Sequence, residues 1–314
     1  MKILIIKKIL GAIFVVIILS ILCFLLIHML PGDPASMIAG TNATPEMVEA
    51  IRVRMGLHLP LHEQYLNWAK GILTGDWGKS LIDNREILPQ ILERLPRTLL
   101  LTISATIISL CISIPLSVTA ASKHNSYTDL TITSAAIVLL SVPEFWFGML
   151  LLILFAVELK VLPAGGFTAP SVDFWMFLKR MILPVMTTSI CLAPGSLRLI
   201  RSSMLDVLGE DYIMLARVKG NPSFRVNYIH ALRNSLIPVS TSISMTIASL
   251  MAGAIIIEKV FQYPGMGFLM FNAIEHRNYP MIQGTLLMFS LIIVVVNFFT
   301  DFIYLLIDPR IRLN

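Results

Sequence analysis

The sequence is poor in charged residues. Asp, Glu, Lys and Arg make up 14% of its 314 residues, against about 25% in soluble domains. Because 56% of the residues are hydrophobic, this scarcity excludes both a soluble globular domain and a disordered chain. Three cysteines, none in a Cys-x-x-Cys pair, exclude a disulfide scaffold and argue against a cysteine zinc site. The composition therefore favours an integral membrane protein.

The sequence also lacks an intact phosphate-binding loop. Gly78-Lys79-Ser80 matches the end of that motif, but Leu73 stands where the motif requires a glycine five positions earlier. His58 and His62 have a spacing found in metal sites, but Pro60 between them means that they need not share a helix face. We therefore predict no metal site, no cofactor bound by this chain and no catalytic activity of its own.

Six apolar segments are long enough to cross a bilayer, which takes about 20 helical residues. They cover approximately Ile9–Leu30, Thr98–Ala121, Leu130–Val157, Met181–Ile200, Leu236–Ile257 and Ile282–Ile307. The first segment is longer than the apolar region of a signal peptide and is interpreted as a retained anchor. The sequence thus predicts an all-α membrane protein with about six transmembrane helices.

Positive charge gathers beside the spans, at the N-terminus, after the second span, between spans four and five, and in the tail. By the positive-inside rule, both termini and these loops lie in the cytoplasm. The net charge of +5 is explained by this orientation, so no nucleic-acid partner is predicted. The chain is therefore expected to cross the membrane several times, in contact with lipid.

The outer segment between the first two spans has helix signals of its own. Thr44-Pro45-Glu46 reads as an N-cap, a proline at the first helical position and an acid in the first turn, and Gly56 is a suitable stop. Further short helices are expected over Leu61–Lys70 and Glu86–Leu95. The predicted organisation is an anchor span over 1–30, a small helical extracytoplasmic cap over 31–97 and a five-span core over 98–314.

The basic segment between spans four and five, residues 201–235, is long enough for two short helices broken at Gly220-Asn221-Pro222. Ala216 and Gly220 lie four residues apart, so a helix can present a flat patch there to a partner. On spacing alone, a docking segment and an ordinary basic loop that only sets topology are equally good interpretations.

The residues of this segment resemble the coupling segment of ABC importer permeases of the peptide/nickel family. Members of that family read Asp-Tyr-x-x-x-Ala-Arg-x-Lys-Gly followed by His-Ala-Leu-Arg-Asn-x-x-x-Pro. The matching positions are Asp211, Tyr212, Ala216, Arg217, Lys219, Gly220, His230, Ala231, Leu232, Arg233, Asn234 and Pro238.

The resemblance extends over nearly the whole chain. Similar motifs are Pro31-Gly32-Asp33-Pro34, Ser141-Val142-Pro143, Tyr263-Pro264-Gly265-Met266-Gly267 and Asp308-Pro309-Arg310-Ile311-Arg312. One departure is that Met214 and Leu215 stand where the broader importer motif has Glu and Ala, so no glutamate contact is expected at position 214.

The resemblance implies a permease subunit that contains no nucleotide site and lies in the cytoplasmic membrane of a prokaryote. Its implied partners are a sister permease in a heterodimer, two ATP-binding subunits that use ATP, and an extracytoplasmic substrate-binding protein. The coupling helices between spans four and five are implied to contact the ATPase through Asp211, Tyr212, Ala216, Arg217, Lys219, Gly220, His230, Arg233 and Asn234. The cargo is a peptide or nickel, free or chelated, and the runs Ser203–Val207 and Ile282-Gln283 look slightly more like nickel permeases.

Glu144 is the clearest charge inside a predicted span, next to Pro143, which is expected to kink the helix. One interpretation is a carboxylate in the substrate path that meets a cationic group. The other is a buried acid, protonated or hydrogen-bonded to another helix. An alternative function for the whole chain is a self-sufficient secondary transporter or channel, although such proteins often show inverted repeats that are not seen here.

Overall fold

The structure, a computed structural model, describes residues 2–29, 35–36, 43–54, 56–236, 250 and 254–307. Within these ranges the regular elements are helices, with one isolated bridge between Lys79 and Glu86. The all-α prediction is thereby confirmed. Most of the predicted fifth span, the Pro31–Pro34 motif and the closing Asp308–Arg312 motif lie outside the described residues.

The described helices follow one another along the chain. In chain order they are α1 Lys2–Met29, α2 Pro45–Arg54, α3 Leu61–Thr74, α4 Ile87–Ser122, α5 Tyr127–Leu140, α6 Glu144–Leu152, α7 Phe174–Leu208, α8 Asp211–Val218, α9 Met266–Glu275 and α10 Tyr279–Ile307. A π-helical segment π1, Ile153–Glu158, continues α6, and a second one, π2, Arg225–Ala231, follows α8. Residues 254–260 are also helical.

Among the described residues, four helices are long and apolar enough to cross a membrane. They are the apolar part of α1, the whole of α4 and α7, and residues Tyr279–Phe298 of α10; α5 and α6–π1 add a fifth if the bent pair is one span. The described residues therefore contain several candidate spans. The predicted number of six stays a prediction, because most of the fifth predicted span is not among them.

The third predicted span is not the continuous helix expected over Leu130–Val157. It is broken at residues 141–143, where α5 and α6 meet at 95°. Pro143 has no N–H to donate, and in a continuous helix its ring would clash with the carbonyl oxygen four residues earlier. The helix therefore ends before it and restarts at Glu144. The predicted kink is therefore a complete break.

Two compact units make up the chain. One comprises Met1–Arg97 with Gly265–Phe298, and the other comprises Thr98–Pro264 with Phe299–Asn314. In the first unit, buried Asn278 donates a hydrogen bond to Ser80 Oγ (2.9 Å) and accepts one from Leu81 N (3.1 Å). These bonds attach the turn after Lys79 to the start of α10.

The outer segment follows its sequence signals closely. Thr44 Oγ1 accepts a hydrogen bond from Met47 N at 3.4 Å at the start of α2, and Gly56 follows the helix with φ +69°. The second helix runs four residues beyond the expected Lys70 and stops at Gly75, with φ +89°. The third expected helix, Glu86–Leu95, is not separate, because α4 continues through Pro96, although proline has no N–H to donate there.

Two buried clusters hold the second unit together. One joins Leu101 of α4 and the first half of α7 to Ile257, Phe261 and Tyr263. The other joins the end of α4 and the last turns of α7 to α8 and π2. The second cluster fixes the segment that the sequence analysis singled out, so it positions the candidate site.

Candidate functional site

The turn that closes α8 forms a Schellman motif. Gly220 N donates to Arg217 O (2.9 Å) and Asn221 N donates to Ala216 O (3.3 Å). The Asn221 side chain adds a bond from Nδ2 to Ala216 O at 3.0 Å. Gly220 adopts φ +77°, a conformation that glycine reaches without steric cost. The predicted break between two short helices is confirmed.

The inner face of the segment is anchored by apolar contacts. Ile213 of α8 is fully buried in a cluster that also contains Ile200 and Met204 of α7 and Val226 and Ala231 of π2. Only two residues, Gly209 and Glu210, separate α7 from α8. Because the cluster is closely packed, α8 is expected to move together with the end of α7.

Two of the predicted residues meet directly. Asn234 Nδ2 donates to the Tyr212 hydroxyl at 2.8 Å and to His230 O at 3.1 Å. The bond ties the first turn of α8 to the helical residues that follow π2. Sequence spacing of 22 residues gave no indication of this contact.

The outer face of α8 is exposed and mostly apolar, and Asp211 of the first turn lies on the same face. Met214, Leu215 and Val218 are exposed large apolar side chains. At 100° per residue they lie within one third of the helix circumference, away from buried Ile213. Phe224, also exposed, stacks on Tyr228 with ring centroids 4.7 Å apart. Clustered exposed apolar side chains are typical of a protein contact surface.

The structure separates the predicted coupling residues by exposure. Ala216 and His230 are half-buried; the exposed members are Asp211, Tyr212, Arg217, Lys219, Gly220, Arg233 and Asn234. No side chain lies within 4 Å of a Cβ added at Gly220. The chain thus presents a small apolar face with basic residues at its edge, and leaves open space at the glycine.

Glu144 occupies the first turn of α6, directly after the break, and is half-buried. Its carboxyl group lies beside the Thr188 hydroxyl and near Cys191, both on α7. The Thr188 hydroxyl is buried and forms no hydrogen bond with any group of the described residues. One turn further on, a Cβ added at Gly148 would come within 3.2 Å of Thr187 Cγ2 and 3.3 Å of the Phe261 ring. This close packing fixes the position of Glu144 against α7.

Several polar groups in the spans escaped the sequence analysis. Glu258 is fully buried and accepts a hydrogen bond from Thr98 Oγ1 at 2.6 Å. It was missed because it lies one residue beyond the predicted fifth span. Asp129 is buried as well, and here the sequence held a signal: Ser126-x-x-Asp129 is a capping-box pattern at the start of α5.

The hydroxyls of α4 form a stripe at helical spacing, and all of its members are buried: Thr98, Thr102, Thr106, Ser109, Ser113 and Ser117. Ser117 Oγ donates to Leu197 O of α7 at 3.0 Å. Small hydroxyl residues let membrane helices approach closely. Their period of three to four residues was visible in the sequence.

Comparisons with known proteins agree over the whole chain. Residues 113–313 match the family described as "Binding-protein-dependent transport system inner membrane component", and residues 1–102 match the N-terminal region of such membrane components. The glutathione transport system permease protein GsiC of Escherichia coli K12 is 38% identical over 308 residues, which cover 98% of both chains. The GsiC protein of Salmonella typhi is 37% identical over the same length.

A solved structure shares the fold. A chain of the MetNI methionine ABC transporter, in an inward-facing conformation, superimposes with a TM-score of 0.58 at 15% sequence identity. The match covers 71% of this chain and 98% of that one.

Proposed function

This chain belongs to the family of binding-protein-dependent transport system inner membrane components, and we propose that its α8–π2 segment receives an ATPase while its spans carry glutathione or another short peptide. As a member of that family it is an inner-membrane, multi-pass permease subunit of an ABC importer, and it is not itself an enzyme. ATP hydrolysis takes place in a separate partner. Family membership argues against the alternative of a self-sufficient secondary transporter.

The observation that carries the docking proposal is the exposed apolar face of α8. An importer permease contains no ATPase, so a surface of this chain must receive one. Met214, Leu215 and Val218 supply an apolar centre, and the flexible cationic side chains of Arg217 and Lys219 lie at its edge. When a partner covers such a face, apolar surface is removed from water, which favours binding.

The residues proposed to contact or position the ATPase are those carried over from the family motif: Asp211, Tyr212, Ala216, Arg217, Lys219, Gly220, His230, Arg233 and Asn234. Ile213 transmits movement inward, since it is buried against the end of α7. ATP drives the permease between two states only if the ATPase pair binds one of them more tightly. We infer that α8 is the element whose position differs between these states.

The proposed cargo is glutathione or another short peptide rather than nickel. The relatives named above are glutathione permeases, so the earlier preference for nickel has no support from them. Glutathione and short peptides carry a protonated α-amine. We propose that Glu144, placed by Pro143 at a break in a span, meets that amine during passage.

The remaining partners are proposed from the family. They are a sister permease, two ATP-binding subunits and an extracytoplasmic substrate-binding protein. Cytoplasmic termini, an outer helical cap over 31–97 and a permease core over 98–314 are proposed with them.

A charge placed on the apolar face tests the docking proposal. Val218→Asp puts a carboxylate at a side chain that is 76% exposed, so folding of the chain should be unaffected while ATPase recovery in a pull-down falls sharply. Val172→Asp is the matched control, because Val172 is 79% exposed and lies between π1 and α7. Equal ATPase recovery with both variants would contradict docking at α8.

The cargo is tested with the binding protein that co-purifies with the complex. Mass spectrometry of the ligand it retains, and competition by glutathione or by nickel, should identify a peptide. Retention of nickel with no peptide would overturn the cargo proposal and leave the docking proposal intact.

A further inference from the structure

A bidentate ion pair joins α5 to α7. Arg201 Nε donates to Asp129 Oδ1 at 2.7 Å, and Arg201 Nη2 donates to Asp129 Oδ2 at 2.6 Å. Asp129 is 4% exposed, so the contact is removed from solvent on the carboxylate side. Two parallel charge-assisted hydrogen bonds fix both the distance and the orientation of the two helices at this point.

Further donors hold the Asp129 carboxylate in place. Asn125 N donates to Oδ2 at 3.1 Å, and Thr133 Oγ1 donates to Oδ1 at 3.3 Å. His124 Nδ1 lies 3.3 Å from Oδ2 and 3.3 Å from Arg201 Nη2. Asp129 N itself donates to Ser126 Oγ, which caps α5. Because these groups surround the carboxylate, its position is set by the first turn of α5.

Helix α5 packs against α7 but leaves most of its own surface exposed on this chain. All its residues are described, and of these only Asp129 and Ala136 are buried. Within the described residues, the side-chain hydrogen bonds between α5 and α7 are those of the ion pair, at the first turn of α5.

The other end of the contact is next to the coupling segment. Ile200 precedes Arg201 and is fully buried in the cluster that contains Ile213 of α8. Seven residues after Arg201, α7 ends at Leu208. A displacement of α8 therefore acts on the same turn of α7 that is bonded to α5.

Stability alone is a poor explanation of the pair. Removing two charges from water offsets most of their attraction, and apolar residues of similar volume often serve a fold equally well. What the pair adds is a fixed geometry. We propose that Asp129 and Arg201 are positioning residues that transmit movement of α8 to the broken span α5–α6, and so to Glu144. This rests on the proposed transport function and deepens it.

The test uses the assembled complex in proteoliposomes, with three measurements. They are recovery of the ATPase subunits, ATP hydrolysis with and without the binding protein, and uptake of radiolabelled glutathione. Asp129→Asn combined with Arg201→Gln removes both charges, with an isosteric side chain at 129 and a shorter polar one at 201, so no unpaired charge stays buried. Arg201→Lys keeps the charge but cannot form the double contact. Arg198→Gln, at an exposed arginine of the same helix, is the control.

The double variant should assemble normally and hydrolyse ATP, but the binding protein should no longer stimulate hydrolysis. Uptake should fall about tenfold or more, within the roughly 5- to 150-fold range of coupling between distant sites. Arg201→Lys should lie between wild type and the double variant, and Arg198→Gln should match wild type. Wild-type stimulation and uptake in the double variant would overturn the proposal. Failure of that variant to assemble would also overturn it, because the role would then be structural.

The wild-type complex separates this proposal from the proposed function. If the binding protein stimulates ATP hydrolysis but no glutathione is taken up, only the proposed cargo is wrong. The ion pair is then tested by comparing this stimulation between wild type and the double variant. If the wild type shows neither stimulation nor uptake, the transport function is wrong and the positioning role falls with it.

Discussion

Two of the breaks between helices in the second unit differ in what they expose. At Gly220-Asn221-Pro222 a polar segment presents apolar side chains to solvent, whereas at Ser141-Val142-Pro143 an apolar span presents a carboxyl group to its interior. In both places the polarity of the side chains is opposite to that of their surroundings. Such a reversal is costly unless a partner compensates it, a protein surface in the first case and a polar chemical group in the second.

The two breaks also differ in backbone chemistry. The first depends on a glycine with φ +77° and a Schellman motif, so it is specified locally. The second depends on a proline with φ −63° that simply ends the helix hydrogen bonding. Substitution of Gly220 therefore acts on the backbone conformation. Substitution of Glu144, directly after the second break, acts on the chemistry of the side chain.

The largest expected effect concerns the sides of the membrane on which the chain is exposed. In a variant with Cys23, Cys111 and Cys191 replaced by serine, a cysteine at Ser223 should be protected from an impermeant thiol reagent in intact cells. A cysteine at Asn67 should react. Both positions are exposed, so accessibility of the side chain does not limit labelling. Labelling at Ser223 and not at Asn67 would place the first break outside the cytoplasm and would contradict the proposal that it contacts an ATPase.

The next effect is at the glycine. Gly220→Val should leave membrane insertion intact and reduce uptake by about tenfold or more. The left-handed conformation costs a non-glycine residue roughly 1–2 kcal/mol, and each 1.4 kcal/mol corresponds to about tenfold. The measurement is uptake alongside recovery of the ATPase.

Gly220→Asn separates conformation from contact at the same position. Asparagine tolerates positive φ, and the chain itself leaves open space there. Wild-type behaviour of Gly220→Asn would mean that only the backbone matters. A loss as large as that of valine would mean that the partner approaches the glycine closely. Normal uptake in Gly220→Val would show that this break is not the coupling element.

At the second break, Glu144→Gln should weaken uptake while assembly stays normal. A neutral amide keeps the volume but removes the attraction for a protonated amine. Glu158→Gln is the control, since Glu158 is exposed at the other end of α6–π1. Wild-type uptake in a correctly assembled Glu144→Gln complex would instead support the interpretation of a buried structural acid.

The smallest effect is expected at Tyr212→Phe. The variant removes the hydroxyl that accepts from Asn234 Nδ2, a bond worth about 0.5–1.5 kcal/mol in net terms. Asn234 keeps its bond to His230 O, so only a slight loss of ATPase recovery on heating is expected. Tyr127→Phe, at another exposed tyrosine, controls for loss of a hydroxyl. A loss as large as that of Gly220→Val would mean that Tyr212 contacts the partner itself.

Local signals account for what the sequence predicted well. The start of α2 at Thr44-Pro45, its end near Gly56 and the break at Gly220 were all predicted, because each depends on the capping or turn chemistry of a few adjacent residues. The apolar helices were predicted for a related reason, since a run of about 20 apolar residues by itself indicates a transmembrane helix.

Errors arose where a local signal has more than one structural result. One proline, Pro96 between two predicted helices, lies inside a continuous α4, whereas another, Pro143 inside a predicted span, lies at a 95° break. The sequence around each proline does not decide between these outcomes, because the bend angle depends on the helices packed on either side. The contact between Gly148 and α7 is one such constraint.

By itself, the sequence determined that the chain is an all-α membrane protein, where some of its helices start and stop, and which family its motifs match. Composition and turn chemistry act over a few residues, so they are readable without a structure. Only the tertiary structure decided that Asp129 meets Arg201 across 72 residues and that Glu258 meets Thr98 across 160. Partners of buried charges are chosen by the packing of whole helices, and charge alone does not say which opposite group will be near.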